Sequence, residues 1–256
     1  MAEKKQALII GSRGYLGYQI KRFLIKEHKY KVINYTSSVI PKNLEKKILN
    51  IDLIIHAAGP SNKIINKNNY LDRLKICKKF VKLLENKKKV NFIYLSSVKS
   101  KMRTINLPKK ERLYSLSHKL VEEYIKNKKN FYIFQLSNIF GLNYKYINNN
   151  YLSSPLNTFI KKINQKKDVL LLSPNEKRNF VTLNELLNQI FKIRNNKKIY
   201  EIKSNFKISI INMLNFLNIV IKKKNIKNIK NIKIDNRQKK EFYEQIVKTS
   251  DIFKND

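Results

Sequence analysis

Apolar residues in this chain fall into short runs separated by stretches of helical spacing, and the two textures alternate over most of its length. Ala7, Leu8, Ile9 and Ile10 form the first run, closed by Gly11. Tyr15, Leu16, Ile20, Phe23 and Leu24 follow at helical intervals and predict a helix. Lys31 to Tyr35 reads as a second strand, and Pro41 to Asn50 as a short helix with Leu44 and Ile48 on one side. Asp52 to Ala58 (DLIIHAA) is almost entirely apolar and stops at Gly59-Pro60, the pattern of a buried parallel strand. A helix is predicted over Tyr70 to Leu84 and a strand over Val90 to Leu95, running out into Ser96-Ser97. Residues 99–112 are polar and read as loop, Tyr114 to Ile125 as helix, and Phe131 to Leu136 as strand. Strand and helix in this order imply an α/β fold around a doubly wound parallel sheet. Ligands of such sheets sit beyond the carboxyl ends of the strands.

The texture changes after Gly141. Residues 144–154 are polar and irregular, followed by a helix over Pro155 to Ile163 and a short strand over Val169 to Leu172. A strand over Arg178 to Leu183 leads into a helix over Glu185 to Arg194; a strand over Lys198 to Ile202 and a helix over Ile208 to Ile221 complete the pattern. The expected division is a dinucleotide-binding domain over 1–142, with return elements from about 178–205, and a small mixed cap within 143–256. Residues 222–234 repeat Asn-Ile-Lys and are of low complexity.

Candidate chemistry begins at the first strand–helix junction. Three of the five glycines in the chain, Gly11, Gly14 and Gly17, sit there. The spacing provides a tight turn, a close approach of backbone to a pyrophosphate, and close packing of helix on strand. The helix start adds free N–H groups and a partial positive charge. Gly11, Ser12, Arg13, Gly14, Tyr15, Leu16 and Gly17 are therefore the expected cofactor-binding residues of this turn, with the three glycines and the helix start holding the pyrophosphate. No acidic residue lies between Glu27 and Glu45 to hold the ribose hydroxyls of NAD(H). Arg13 in the turn, with Ser37 and Ser38 after the second strand, favours NADP(H), with NAD(H) as the second choice. His56 in its apolar strand reads as a satisfied core residue.

Composition adds limits. The formal net charge is +37, but the lysines scatter along the chain with abundant Asn and Ile, as in the product of an AT-rich genome. Nucleic acid is not the expected partner; anionic small molecules are. The single cysteine, Cys77, excludes an internal disulfide and reads as a buried thiol, and the three histidines and one cysteine show no metal-ligand spacing. The N-terminus lacks a signal-peptide pattern, and the longest apolar region, 208–221, is broken by asparagines, so a cytoplasmic protein outside the membrane is expected.

Taken together, GSRGYLG at 11–17, DLIIHAAG at 52–59, FIYLSS at 92–97, YSLSHKLVEE at 114–123, QLSNIFG at 135–141, RNFVTLNEL at 178–186 and KKIYEIKSNFKISI at 197–210 resemble the extended short-chain dehydrogenases. These are the NAD-dependent epimerase/dehydratases, which act mainly on nucleotide sugars. The resemblance implies a Rossmann-like sheet with a substrate cap, and an NAD(P)-dependent reductase or epimerase of a nucleotide-linked ketosugar. It implies Tyr114 as acid/base and Ser97 as its hydrogen-bonding partner, with Ser96 facing the other way. It further implies cofactor contacts from Ala57, Ala58 and Gly59, substrate contacts from Asn138 and Arg178, and a homodimer through the Tyr70 and Tyr114 helices. A surface ion pair is the alternative for Arg178.

The chain departs from that pattern at the residue four after the tyrosine, where the family has lysine and this sequence has His118. Lys119 is one residue late and about 100° round the helix. A free tyrosine has a pKa near ~10 and needs a neighbouring cation to act at neutral pH. Either protonated His118 takes that part, or the site is weakened and the protein is a nucleotide-binding or nucleic-acid-binding protein on the same fold. Gln135 also stands where arginine is usual.

Overall fold

The computed structural model describes residues 5–28, 30–35, 44, 46, 48–62, 64–84, 90–103, 105, 107–140, 167, 174–191, 198–203 and 207–223. The chain groups into two units, 1–136 with 192–201, and 137–191 with 202–256.

In the first unit, β1 (Gln6–Ile10), β2 (Lys31–Tyr35), β3 (Leu53–His56), β4 (Asn91–Ser97), β5 (Phe131–Leu136) and β8 (Ile199–Ile202) form one sheet in the order β2-β1-β3-β4-β5-β8. The pairings β1–β2, β1–β3, β3–β4 and β4–β5 are parallel, with registers such as Ile10 opposite His56 and His56 opposite Tyr94. The order reverses at β1, so β1 and β3 diverge from a point where a ligand crevice opens. Among the described residues this unit carries the α-helices α1 (Tyr15–Lys26), α2 (Asp72–Leu84) and α3 (Lys109–Ile125). Leu8, Ile10, Ile54, Phe92, Tyr94 and Ile133 from the strands cluster with Cys77, Phe80 and Val81 of α2 and Val121 and Ile125 of α3. Burial pushes the Cys77 thiol up to about 12, so the cysteine serves as a small apolar side chain.

The polar stretch before Tyr114 is not all loop. Residues Val98–Lys101 form a 3-10 turn and α3 begins at Lys109, behind Pro108 at its N-cap. Lys109, Lys110 and Arg112 are exposed, so that first turn carries little apolar periodicity, and Tyr114 sits in the second turn.

The second unit has β6 (Asn138–Phe140), β7 (Lys177–Thr182) and β9 (Lys207–Ser209) in the order β6-β7-β9, with α4 (Leu183–Phe191) and α5 (Ile210–Lys223). β7 runs parallel to β6 and antiparallel to β9. β7 is thus the central strand of this sheet, and α4 follows it directly. The expected helix over 155–163, strand over 169–172 and tract over 224–234 lie outside the described residues.

Candidate functional site

The glycine turn follows β1 directly. The Gly11 N–H donates to the Tyr35 carbonyl at 2.8 Å, and the Gly14 N–H returns to the Gly11 carbonyl at 3.0 Å. Gly14 is extended, and α1 starts behind it with no side-chain cap and no acidic residue in its first turn. The leading amides of α1 therefore present their positive end to an anion. Gly17 packs on the turn itself: a Cβ there would run into the Gly11 carbonyl oxygen. Ser12 is buried, Arg13 is exposed, and Tyr15 and Leu16 are partly buried. The Tyr15 hydroxyl is buried without a partner, and burial pushes its phenol above the usual range.

A cavity of about 350 Å³ opens at the carboxyl ends of β1, β2 and β3. Gly11, Ala58 and Gly59 line it with Ile10, Tyr35 and Asp72. Ala57, one residue back, donates its N–H to the Ile10 carbonyl at 2.9 Å and so fixes this edge of the crevice. The Tyr35 hydroxyl is buried with no protein partner. A glycine cradle that a Cβ would fill, uncapped helix amides and an adjoining cavity fit a dinucleotide. Ser37 and Ser38 lie outside the described residues. Sequence reasoning missed Asn69, Asp72 and Ile76, which reach this cavity from α2 and the turn before it. Asp72 brings a carboxylate, 3.8 Å from Lys75, that no motif announced.

Ser97 ends β4, partly buried, and its Oγ accepts the Lys99 N–H at 3.3 Å. Ser96 is buried and donates to Glu122 on α3, as alternation along a strand requires. The turn after Ser97 is fastened to α3 twice. Ser115 donates to the Lys99 carbonyl at 2.7 Å, and Lys99 pairs with Glu111 at 3.1 Å. Tyr114 is partly buried on α3; its ring meets the His118 ring edge-on at 4.7 Å and lies 5.5 Å from the guanidinium carbon of Arg73. Tyr114 and Ser97 thus stand on elements bound to each other, at the carboxyl end of the sheet.

His118 is 3% exposed. Its Nδ1 lies 2.7 Å from the Tyr94 hydroxyl and 3.4 Å from Ser96 Oγ, while Nε2 has no partner. Burial, then the charge of Arg73, then His56 push its pKa well below the ordinary value. The imidazole is held neutral, which opposes the protonated His118 that the sequence reading raised. Lys119 is exposed, as its rotation around the helix requires. Beneath them a polar network runs through the interior: Gln135 donates to Glu122 at 2.8 Å and to Ser100 at 3.4 Å. His56 is fully buried and satisfied at both nitrogens: Nε2–H donates to the Arg73 carbonyl at 3.2 Å, and Nδ1 accepts the Ala58 N–H at 3.3 Å. Burial holds its pKa down to about 4.

In the second unit, Asn138 donates its amide to the Asn179 carbonyl at 2.9 Å. Arg178 forks onto Glu176, with Nε at 3.0 Å and Nη2 at 2.8 Å from its two carboxylate oxygens. The surface ion pair named as the alternative is therefore formed. Among the described residues, no helix is long and apolar enough to cross a membrane, and no group of three His, Cys, Asp or Glu side chains gathers as metal ligands.

No curated protein matches the chain. Solved structures do. The capsular polysaccharide assembling protein CapF from Staphylococcus aureus is similar over 97% of this chain, at 20% identity and a TM-score of 0.64. The chain spans only 64% of CapF. A UDP-N-acetylglucosamine 4-epimerase from Bacillus cereus is similar over 98% of this chain and 96% of its own, at 17% identity and a TM-score of 0.67. A dTDP-glucose 4,6-dehydratase from Bacillus anthracis, solved in complex with NAD, is similar over 98% of this chain and 97% of its own, at 14% identity and a TM-score of 0.70. At such identities these likenesses speak for the fold. The model of the NAD dependent epimerase/dehydratase family matches residues 7–205, and with the glycine turn and parallel sheet described above it shows that the chain belongs to that family.

Proposed function

We propose that the protein is a cytoplasmic NAD(P)-dependent reductase or epimerase of a nucleotide-linked ketosugar, with Tyr114 as its acid/base. The observation that carries this reading is the position of the Tyr114 ring. It lies against Arg73, whose guanidinium holds the carbonyls of Ala58 and Pro60 at the edge of the crevice. Gly11, Gly14, Gly17 and the leading amides of α1 hold the pyrophosphate, with Ser12, Tyr15 and Leu16 shaping the turn. Nicotinamide, when bound, donates or accepts the hydride. Tyr114 gives a proton to the sugar oxygen when the carbonyl is reduced and takes it back in the reverse direction, and Ser97 donates a hydrogen bond to that oxygen. His118, neutral and edge-on, orients the Tyr114 ring. Asn138 and Arg178 serve the substrate, Arg178 by exchanging Glu176 for a phosphate. The functional pair is a homodimer through α2 and α3.

NADP(H) is the preferred cofactor. Exposed Arg13 in the turn supplies a guanidinium for a 2′-phosphate, and β2 ends without an acidic residue. Asp72 in the cavity opposes this preference. Fluorescence titration with NADPH and NADH is the test, with tighter binding of NADPH expected; no response to either removes the reading. Turnover of a 4-keto nucleotide sugar is expected to fall on the order of 100-fold or more in Tyr114→Phe, with NADPH binding retained. Unchanged turnover in that variant rules out the assigned acid/base. A second reading, a nucleotide-binding protein with weakened chemistry, is favoured by the neutral His118 in the lysine position. Retained NADPH binding without turnover of any ketosugar tried would select it.

A further inference from the structure

Arg73 is 5% exposed, and a buried guanidinium must be paired or bonded. Among the described residues it has no carboxylate partner in an ion pair. Its Nη1 donates to the Ala58 carbonyl at 2.9 Å, Nη2 donates to the Pro60 carbonyl, and Nε donates to Ser117 Oγ at 3.3 Å. These three donors meet neutral oxygens, and the ring of Tyr114 lies 5.5 Å from the guanidinium carbon. Burial is the main force keeping His56 and His118 neutral, and the Arg73 charge adds to it in the same direction. The fold makes room for the guanidinium. Gly59 has φ +128°, and a Cβ there would run into the Arg73 side chain. The chain therefore keeps a glycine where the guanidinium crosses it.

We infer that Arg73, projecting from α2, is the fixed cation that readies the Tyr114 phenol, the part left open by the neutral His118. This rests on the reading of Tyr114 as acid/base. Arg73 acts through Tyr114 and is a positioning residue: its charge faces the ring whose oxygen must become anionic when the proton leaves. Its hydrogen bonds to Ala58 and Pro60 hold that charge at the rim of the crevice. Because it comes from another helix, no spacing around Tyr114 could announce it.

The test needs no knowledge of the sugar. Tetranitromethane nitrates phenolates, so the nitration rate of Tyr114, followed by peptide mass spectrometry on the full chain at constant pH, reports how readily that phenol ionises. Arg73→Gln keeps a donor for the carbonyls and removes the charge; Arg73→Lys keeps the charge and loses the fork. Nitration of Tyr114 is expected to slow several-fold in Arg73→Gln and to stay near the wild-type rate in Arg73→Lys. Equal rates in both variants, or faster nitration in Arg73→Gln from simple loosening, would overturn the inference. Should Arg73→Gln fail to fold in parallel melting curves, Arg73→Met takes its place: nitration slowed several-fold supports the inference, and a wild-type or faster rate ends it. NADPH titration of the wild type keeps the outcomes separable. Binding with no Arg73 effect on nitration sinks this inference and leaves the proposed function standing; an Arg73 effect without binding does the reverse.

Discussion

At the scale of single residues, the site depends on backbone approach more than on side-chain chemistry. Gly17 is the clearest case, because any side chain there meets the backbone carbonyl of Gly11, which cannot rotate away. Gly17→Ala is expected to push α1 off the turn. The expected cost is about 1–3 kcal/mol of stability, the range for overpacked sites, with NADPH affinity reduced alongside. Urea melts and fluorescence titration check both. The glycine spacing was visible in the sequence because glycine is otherwise so scarce. Arg13, Tyr114 and Ser97 were also legible as positions. The charge state of His118 was not, since it follows from burial and from Arg73, and neither is encoded within a few residues of position 118.

At the scale of elements, β3, β4, α2 and α3 share an interior that is polar where it nears the crevice. His56 on β3 faces the Arg73 carbonyl, and His118 on α3 faces Tyr94 on β4. Both imidazoles are buried and kept neutral, so the fold is linked to pH. An unfolded histidine titrates near ~6.5, whereas folded His56 titrates at about 4. Between those values the unfolded chain takes up a proton that the folded chain refuses, and stability rises with pH. Stability is thus full above roughly pH 6.5 and falls as the pH drops toward 4, on the order of 3 kcal/mol for His56 alone. His118 acts in the same direction. Urea midpoints at several pH values measure the slope, and a flat profile across this window would contradict the neutral assignment. The parallel strands β1 to β5 were read correctly, because buried parallel strands leave unbroken apolar runs, while the expected helix over 41–50 lies partly outside the described residues and ends in a 3-10 turn at Ile48–Asn50. The first turn of α3 escaped notice because its exposed side chains are charged, and β9 because three residues give no period.

For the whole molecule, charge is the dominant property. A net charge of +37 sets up a positive field that draws anions toward the protein, and salt shortens its range. Raising the ionic strength from roughly 0.01 M to 0.15 M cuts the screening length from about 30 Å to about 8 Å. NADPH association, followed by stopped-flow fluorescence, is expected to slow several-fold across that range. An unchanged rate would show that the field does not reach the crevice. The solved neighbours share the fold at 14–20% identity, and a shared fold does not by itself select a substrate.

Order along the chain was enough to settle the parallel sheet, the glycine turn after its first strand and the placement of a tyrosine near the strand ends. Each of these depends on local periodicity or on glycine at fixed intervals, which are properties of neighbouring residues. Packing alone decided the rest. Asp72 enters the cavity, Gln135 bonds Glu122, and Arg73 meets Tyr114 only because helices distant in sequence dock on the same sheet face. Whether an imidazole is charged is likewise a matter of what surrounds it, and that is known only once the chain has closed over it.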